Sequence, residues 1–303
     1  MADQLRHAIL GVGGIGGLMG ASLARIGETV TLIVRSESLA KYPRQLRLES
    51  PFGDFDANVA VAAEVPAVDV LWLAVKATQL GSSLAAITNP ASVRAIVPLL
   101  NGVDHVAILR SKYEKEKVIP ATIAVESERV APGHIIHRSS FARLNFSSAG
   151  RSLLGSTAGQ LQTLGFQCRF IDDEATLMWS KLVFLAAFAL CTTAANKTTG
   201  EILADPEWRK LGLACIREAS AVGVAEGAKI DADAVIAGVM KMPGNMRSSM
   251  QKDVEQGNPP ELDAIAGPIL RGAQRRGIDV PAAKKLVAAV ESRIGQPSGL
   301  LAS

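Results

Sequence analysis

The sequence predicts an α/β protein in which a doubly wound parallel sheet precedes an all-helical domain. Three observations lead to this prediction. Apolar strand-like runs alternate with helical patterns through the first hundred residues, shorter alternating segments follow as far as residue 146, and nearly every segment from residue 174 onward is helical. Because 303 residues are too many for the commonest single-domain size, we expect two domains, at 1–172 and 173–303.

The first half begins with a strand, a helix and a second strand. Residues 7–12, HAILGV, are a short apolar run typical of a strand buried on both faces. A helical pattern follows and ends at Gly27, before the β-branched run TVTLIV at 29–34. Further strand candidates are DVLWLAV and AIVPLL, at 69–75 and 95–100, with a helix-compatible segment between them at 77–87. This repetition implies a parallel sheet covered on both faces.

Residues 118–146 have a different pattern. Alternating segments such as GHIIHRSS and ARLNF indicate extra strands, which we expect to extend the same sheet. His134 and His137 would point to opposite faces of one such strand, which argues against a joint metal site. No bound metal is therefore expected.

The second half predicts a set of helices. Residues 174–195 are expected to form one long, largely buried helix, since the apolar run at 182–195 is only 14 residues and cannot span ~30 Å of hydrocarbon. A later helix has Asp205 as its N-cap and Pro206 at its first position. Another contains Pro268 and should be kinked or broken there.

Composition and charge exclude several classes of protein. A formal net charge of +3 gives no support to a nucleic-acid partner. Three cysteines, far apart and odd in number, show neither a disulfide framework nor zinc-ligand spacing, which favours a reducing compartment. Glycines break the apolar run near the N-terminus, so a strand and turn explain it better than a signal peptide. We expect a soluble, cytoplasmic protein with no nucleic-acid or membrane partner.

Gly11, Gly13 and Gly16 form a G-x-G-x-x-G array between the first strand and the following helix. Gly11 permits a tight turn, Gly13 lets the backbone approach a pyrophosphate, and Gly16 allows close helix–strand packing, while the helix N-terminus faces the anion. The alternative is a glycine-rich turn without a ligand. The array predicts a Rossmann-type dinucleotide-binding domain.

Arg35 stands at the end of the second strand, where an acidic residue would bind the ribose 2′-hydroxyl of NAD. A guanidinium at this position can bind a 2′-phosphate bidentately, and Ser36 and Ser38 can add hydroxyl donors. The alternative is a solvated arginine at a strand end. We expect the cofactor to be NADP, as NADPH, rather than NAD.

Beyond the glycine loop, several motifs resemble the ketopantoate reductase (2-dehydropantoate 2-reductase) family, and the resemblance covers nearly the whole chain. In that family the serine of an SSM segment and a glutamate 12 residues later belong to the site, and Ser249 and Glu261 keep this spacing. The matching motifs are the glycine loop with Arg35, VKATQ around Lys76, LLNGV around Asn101, PGHIIH at 132–137, WSKL around Lys181, and RSSMQKDVEQGNPPELDAIAG at 247–267.

The resemblance implies NADPH-dependent reduction of a 2-keto acid, with Lys181 as the general acid. A lysine on an apolar helix would have its charged form disfavoured, which moves its pKa toward a useful value. Glu261 would orient that ammonium or the substrate hydroxyl. Ser249 and Asn101 would donate hydrogen bonds to the substrate carboxylate or the nicotinamide ribose. Lys76 follows a strand, at the sheet edge where α/β proteins bind ligands.

Three of these residues also have purely structural interpretations. Lys181 could extend its ammonium to solvent from an apolar helix. Ser249 could be a helix N-cap, and Glu261 could be a first-turn carboxylate that the helix dipole favours.

Leu185 and Ala189 stand where the family usually has asparagines, one and two turns after the lysine. Residues four apart share a helix face, so a substrate would meet apolar side chains there, and apolar pockets discriminate weakly on a hydroxyl. If another group recognises the hydroxyl, the candidates are Thr192, Asn196 and Asn245.

Three functions therefore stay open. The first is formation of pantoate from 2-dehydropantoate, in pantothenate biosynthesis. The second is reduction of a more apolar 2-keto acid by a paralogous enzyme, which Leu185 and Ala189 favour. The third is a non-catalytic NADP-binding regulatory protein, against which the retention of Lys181 and Glu261 argues. The expected partners are a small 2-keto acid and, in a homodimer, a second copy of the chain.

Overall fold

The computed structural model describes residues 4–295 and residue 300, and it divides into two compact units. The first unit comprises Met1–Leu100 and His105–Asp172, and the second comprises Asn101–Asp104 and Asp173–Ser303. The chain therefore enters the second unit for four residues before it returns to the first.

The first unit contains three sheets and four α-helices within the described residues. Its strands are β1 (Arg6–Leu10), β2 (Thr29–Ile33), β3 (Gln45–Glu49), β4 (Phe55–Asn58), β5 (Ala60–Ala62), β6 (Val68–Leu73), β7 (Val93–Pro98), β8 (Ala121–Ala124), β9 (Ser127–Ala131), β10 (His134–His137), β11 (Ala142–Ser147) and β12 (Phe166–Ile171). Its helices are α1 (Gly14–Arg25), α2 (Leu80–Ser83), α3 (Asp104–Lys112), whose first residue belongs to the second unit, and α4 (Arg151–Thr163).

The predicted parallel sheet is confirmed, with strand order β5-β2-β1-β6-β7 and parallel pairing throughout. Its strands are apolar runs because both faces are covered. Ile9 packs into one hydrophobic core, whereas its neighbours Ala8 and Leu10 pack into another. Leu10 is in register with Ile33 on β2 and Leu73 on β6, so the carboxyl ends of these three strands lie at one sheet edge.

The prediction that residues 118–146 extend this sheet is wrong. They contribute instead to a four-stranded sheet, β4-β3-β10-β9, and a three-stranded sheet, β12-β11-β8. The four-stranded sheet packs its apolar face on α1, where the bare backbone of Gly17 lies against Ile135. A small-residue helix can be buried on two sides, and a second sheet covers the side that the parallel sheet leaves exposed.

The segment at 77–87 also differs from expectation. Only Leu80–Ser83 is α-helical, between 3₁₀ turns at Ala77–Gln79 and Leu84–Ala86. Gly81 and two serines in the middle of the segment are poor helix formers, so the helical pattern yields a series of turns.

The second unit is helical, as predicted. Its helices are α5 (Glu174–Ala195), α6 (Thr199–Ala204), α7 (Pro206–Ala225), α8 (Ala232–Val239), α9 (Ser249–Glu255), α10 (Leu262–Arg276) and α11 (Pro281–Ile294). Asp205 caps α7 by accepting hydrogen bonds from the backbone of Glu207 and Trp208, with Pro206 at the first position. Of the two predicted effects of Pro268, a kink or a break, the break does not occur, because α10 continues through the proline.

Helix α5 is the central helix of this unit. By length and composition it could cross a membrane, with a mean hydropathy of 1.6 over its most apolar window. However, 61% of that window is buried inside the protein, where α5 packs against α7, α9 and α11. Burial against neighbouring helices accounts for its apolar sequence, as in the core helix of a soluble protein.

Candidate active site

The glycine loop joins β1 to α1 in a turn that only glycines can form. Gly11 has φ +100°, and a Cβ there would lie 2.6 Å from the backbone nitrogen of Val75. A Cβ at Gly16 would lie 2.0 Å from the carbonyl oxygen of Gly11. These contacts explain why the first and third glycines of the array are required.

The N-terminus of α1 is open to a ligand. No side chain caps it, and its first turn contains no acidic residue. A Cβ at Gly13 would meet nothing within 4 Å, so there is space beside the backbone at the second glycine of the array. Backbone N–H groups and the helix dipole at such an end favour an anion, and the residues present fit a pyrophosphate.

Arg35 and Lys76 follow the two strands that flank β1. Arg35 comes two residues after β2, its side chain is 84% exposed, and its Nε lies 3.4 Å from Glu37. Lys76 comes three residues after β6 and is half-buried at the start of a 3₁₀ turn. Because β2, β1 and β6 are neighbours in one parallel sheet, both cations and the glycine loop lie at the same sheet edge.

A lysine, an amide and a carboxylate form a hydrogen-bonded cluster within the second unit. Lys181 on α5 donates from Nζ to Oδ1 of Asn101 at 3.0 Å, and Asn101 donates from Nδ2 to Oε2 of Glu261 at 3.0 Å. Glu261 is the buried N-cap residue of α10. The amide thus lies between the ammonium and the carboxylate, and three of the predicted site residues are brought together.

The surroundings of Lys181 change its acidity. Burial lowers the pKa of its ammonium to about 8, although the negative charge of Glu261 acts to raise it. Lys181 is half-buried and its ammonium donates to Asn101, so the side chain does not extend freely into solvent. An ammonium with a pKa near neutrality is an effective general acid.

Two adjacent serines at the start of α9 have different roles. Ser248, not Ser249, is the N-cap: its Oγ accepts from the backbone of Gln251 at 3.1 Å and from Thr192 Oγ1 at 2.8 Å. Ser249 is exposed, and its side chain is not the cap. This removes the structural explanation for Ser249, and Ser248 is a residue that the sequence analysis missed.

The apolar positions on α5 are not equivalent. Leu185, one turn after Lys181, is half-buried, whereas Ala189 has no exposed surface and packs in the hydrophobic core. Of the two, only Leu185 has surface with which to contact a substrate. Thr192 and Asn196 lie about 16 Å and 22 Å along the helix from Lys181, beyond the length of a small keto acid.

One further constrained position beside the glycine loop, Gly14, was not identified from the sequence. A Cβ at Gly14 would lie 2.1 Å from the carbonyl oxygen of Ser127, so this glycine is as constrained as those of the array. The excess of glycines at 11–20 was the available signal.

Among the described residues there is no cluster of His, Cys, Asp and Glu that could hold a metal. Burial raises the pKa of Cys191 to about 12, which leaves its thiol unreactive.

Comparison with protein families identifies the class. The family model described as Ketopantoate reductase PanE/ApbA matches residues 7–150, and its C-terminal counterpart matches residues 174–293. Together with the Rossmann-type sheet and the lysine cluster, these matches define an oxidoreductase that acts on a CH–OH group. The chain belongs to the ketopantoate reductase family.

Individual relatives agree with this assignment. The 2-dehydropantoate 2-reductase of Caulobacter vibrioides is 30% identical over 292 residues, covering 93% of this chain and 96% of that protein. An uncharacterized oxidoreductase of Bacillus subtilis, YkpB, is 28% identical, with 91% and 95% of the two chains covered.

Solved structures show the same fold. The ketopantoate reductase of Ralstonia eutropha superposes with a TM-score of 0.84 at 26% identity, covering 96% of this chain and 98% of that one. A D-mandelate dehydrogenase, solved with NADH and anilino(oxo)acetate, has a TM-score of 0.85 at 21% identity, with the same coverage. The latter likeness concerns the fold alone.

Proposed function

We propose that the protein reduces a 2-keto acid to a 2-hydroxy acid with NADPH, and that its substrate is 2-dehydropantoate, which yields pantoate. The observation that carries this proposal is the Lys181–Asn101–Glu261 cluster, in which a lysine of lowered pKa is held beside a carboxylate. Family membership and the Caulobacter vibrioides relative support the choice of substrate.

Each residue of the Lys181–Asn101–Glu261 cluster has a separate role in the proposed reaction. A reduced nicotinamide, when bound, supplies the hydride. The Lys181 ammonium donates a proton to the oxygen of the substrate carbonyl as negative charge develops there. Asn101 keeps the ammonium in place through its Oδ1. Its Nδ2 has two N–H bonds, of which one is donated to Glu261, and we assign the other to the substrate carboxylate or the nicotinamide ribose.

The cofactor residues are proposed on the same basis. Gly11, Gly13 and Gly16 would hold the pyrophosphate at the N-terminus of α1. Arg35 would bind the 2′-phosphate, which makes NADPH the proposed cofactor. Lys76 would contact the cofactor or the substrate, and Ser249 the substrate carboxylate. We also propose that the enzyme is cytoplasmic and forms a homodimer, as the ketopantoate reductase of Staphylococcus aureus is described.

A second candidate substrate is a more apolar 2-keto acid. The observation that favours it is Leu185, an apolar side chain with exposed surface one turn after the catalytic lysine. An enzyme of this kind would reduce ketopantoate and its analogue without the terminal hydroxyl with similar efficiency.

One experiment tests these candidates together. NADPH oxidation by the purified protein is followed with a panel of 2-keto acids that includes ketopantoate and the analogue without the terminal hydroxyl. A preference for ketopantoate above roughly a thousandfold would establish pantoate formation, while a ratio within about tenfold would establish the apolar alternative. If no 2-keto acid were reduced, the proposed activity would be refuted in favour of a non-catalytic NADP-binding protein.

A further inference from the structure

Residues 101–104 lie along one face of α10. Asn101 is hydrogen-bonded to Glu261 at the start of the helix, and Val103 packs against the hydrophobic core of the second unit. At the other end of the segment, Asp104 accepts a hydrogen bond from Nη2 of Arg271. The segment is therefore held at both of its ends by residues of one helix.

A close backbone approach holds the middle of the segment. Gly102 has φ +85°, and a Cβ there would lie 2.4 Å from the carbonyl oxygen of Ala264. Pro268 has no N–H and cannot donate to that carbonyl, which would normally accept from residue 268 within the helix. Helix α10 continues through the proline, and the Ala264 carbonyl that has no N–H partner at position 268 is the one that Gly102 approaches.

Arg271 donates to two carboxylates, one on its own helix and one in residues 101–104. Its Nη1 donates to Oδ1 of Asp263, two turns earlier on α10, at 2.6 Å, and its Nη2 donates to Oδ2 of Asp104 at 2.5 Å. The guanidinium lies across Gly267, where a Cβ would be 2.5 Å and 2.6 Å from its two terminal nitrogens. The missing side chain at Gly267 provides the space that the guanidinium occupies.

The stability of the protein does not explain this arrangement. The side chains of Arg271 and Asp104 are 37% and 47% exposed, and exposed ion pairs contribute little to the free energy of unfolding. Arg271 lies about 15 Å along α10 from Glu261, too far to contact a substrate at Lys181. Any effect on catalysis must therefore pass through residues 101–104.

We propose that Arg271 is a positioning residue: by holding Asp104, it fixes residues 101–104 so that the Asn101 amide stays between Lys181 and Glu261. This inference rests on the proposed catalytic role of Lys181. A displacement of about 1 Å at a reacting group can lower turnover up to a hundredfold, so the loss of a remote ion pair would be visible in kcat.

The two carboxylate partners of Arg271 provide a matched pair of variants. Asp104→Asn and Arg271→Met should each lower kcat by about tenfold to a hundredfold, with the midpoint of thermal unfolding unchanged. Arg271→Lys, which can still pair with Asp104, should recover most of the loss. Asp263→Asn should keep kcat near that of the wild type. A full kcat in Asp104→Asn, or an equal loss in Asp263→Asn, would overturn the proposal.

A further variant separates positioning from folding. Gly267→Ala adds a methyl group in the space of the guanidinium and replaces glycine by a better helix former. We expect the thermal midpoint to be maintained or raised and kcat to fall as in Arg271→Met. A fully active Gly267→Ala would show that the position of the guanidinium is irrelevant to turnover.

A readout independent of activity distinguishes this inference from the proposed function. In protein labelled with ¹⁵N-asparagine, the Asn101 side-chain amide signal is identified by its absence in Asn101→Asp. The chemical shift of the Asn101 signal should change in Asp104→Asn and stay unchanged in Asp263→Asn. If the wild type reduced no 2-keto acid, the proposed function would fail while this shift still tested the positioning. An unchanged signal in Asp104→Asn would contradict the positioning itself.

Discussion

Lys181 is a half-buried lysine that donates to a neutral amide, and that amide in turn donates to a carboxylate. The amide offers the ammonium one hydrogen bond from a neutral group, and the charge of Glu261 favours the charged form of the lysine. The pKa of about 8 follows from burial that is only partly offset by the charge of Glu261. The ammonium is therefore both populated near neutrality and able to give up its proton.

The pH dependence of reduction should follow this pKa. A general acid must be protonated, so kcat/KM is expected to be level below a pH of about 8 and to fall as the pH rises through that value. The measurement is the initial rate of NADPH oxidation against pH. A profile that stays level to pH 10 would be incompatible with Lys181 as the proton donor.

Replacement of the lysine tests the same assignment. Lys181→Ala should lower kcat by about 10²–10⁴, the usual contribution of a general acid, while NADPH titration by fluorescence gives an unchanged Kd. Lys210→Ala removes an exposed lysine of the same unit and serves as the control. Near-normal turnover in Lys181→Ala would remove this residue from the mechanism.

Arg35 determines the cofactor preference in our proposal. Its exposed guanidinium pairs with the exposed Glu37 in the described part of the chain, so it can turn toward a 2′-phosphate at little cost. Arg35→Ala should lose about 1.5–3 kcal/mol of NADPH binding, or roughly tenfold to a hundredfold in affinity, with NADH binding unchanged. Glu37→Gln should bind NADPH at least as tightly as the wild type. If Arg35→Ala still preferred NADPH, another residue would bind the phosphate.

At the scale of the element, helix α9 depends on Ser248. Its hydroxyl accepts from the backbone of Gln251 and from Thr192 on α5, so it both caps the helix and ties it to the central helix. Ser248→Ala should lower the free energy of unfolding by about 1–2 kcal/mol, measured by urea denaturation.

The neighbouring serine is the matched control. Ser249→Ala should change the free energy of unfolding by less than about 0.5 kcal/mol and instead raise the KM for the keto acid. If the two variants had the same effect on stability, the assignment of Ser248 as the cap would be contradicted.

The contrast between elements shows what local sequence determines. Helix α5 and the start of α7 at Asp205 could be predicted because apolar content, an N-cap and a proline act over a few residues. The four-stranded sheet could not, since parallel pairing of β3 with β10 joins segments that are far apart in the chain. That pairing depends on the buried side of α1, which is a property of the packed unit.

The same reasoning applies to the candidate site. Family motifs indicated Lys181, Asn101 and Glu261 individually, but Asn101 and Glu261 are separated by 160 positions, and no local pattern shows that they are bonded. Ser248 and Ser249 are equivalent in sequence, and only the backbone of α9 decides which is the cap. Helix α10 also continues through Pro268 without a break, which the residue type alone does not decide.

At the scale of the whole molecule, the path of the chain links the two units by more than one connection. The chain passes into the second unit at Asn101, returns to the first at His105, and enters the second again at Asp173. The residues immediately before and after 101–104 belong to the first unit. Asn101 and Asp104 themselves form side-chain hydrogen bonds with Lys181 on α5 and with Glu261 and Arg271 of α10.

This path means that the peptide bond after Asp172 is not the sole attachment of the helical unit. With a protease site inserted there, cleavage should produce two fragments that still elute together on size-exclusion chromatography, because 101–104 remain anchored in the helical fragment. Separation immediately after cleavage, without denaturant, would show that the anchor is too weak. The helical unit, expressed on its own, would likewise lack the amide that its lysine and glutamate share, so this enzyme cannot be divided into independent modules at its apparent domain boundary.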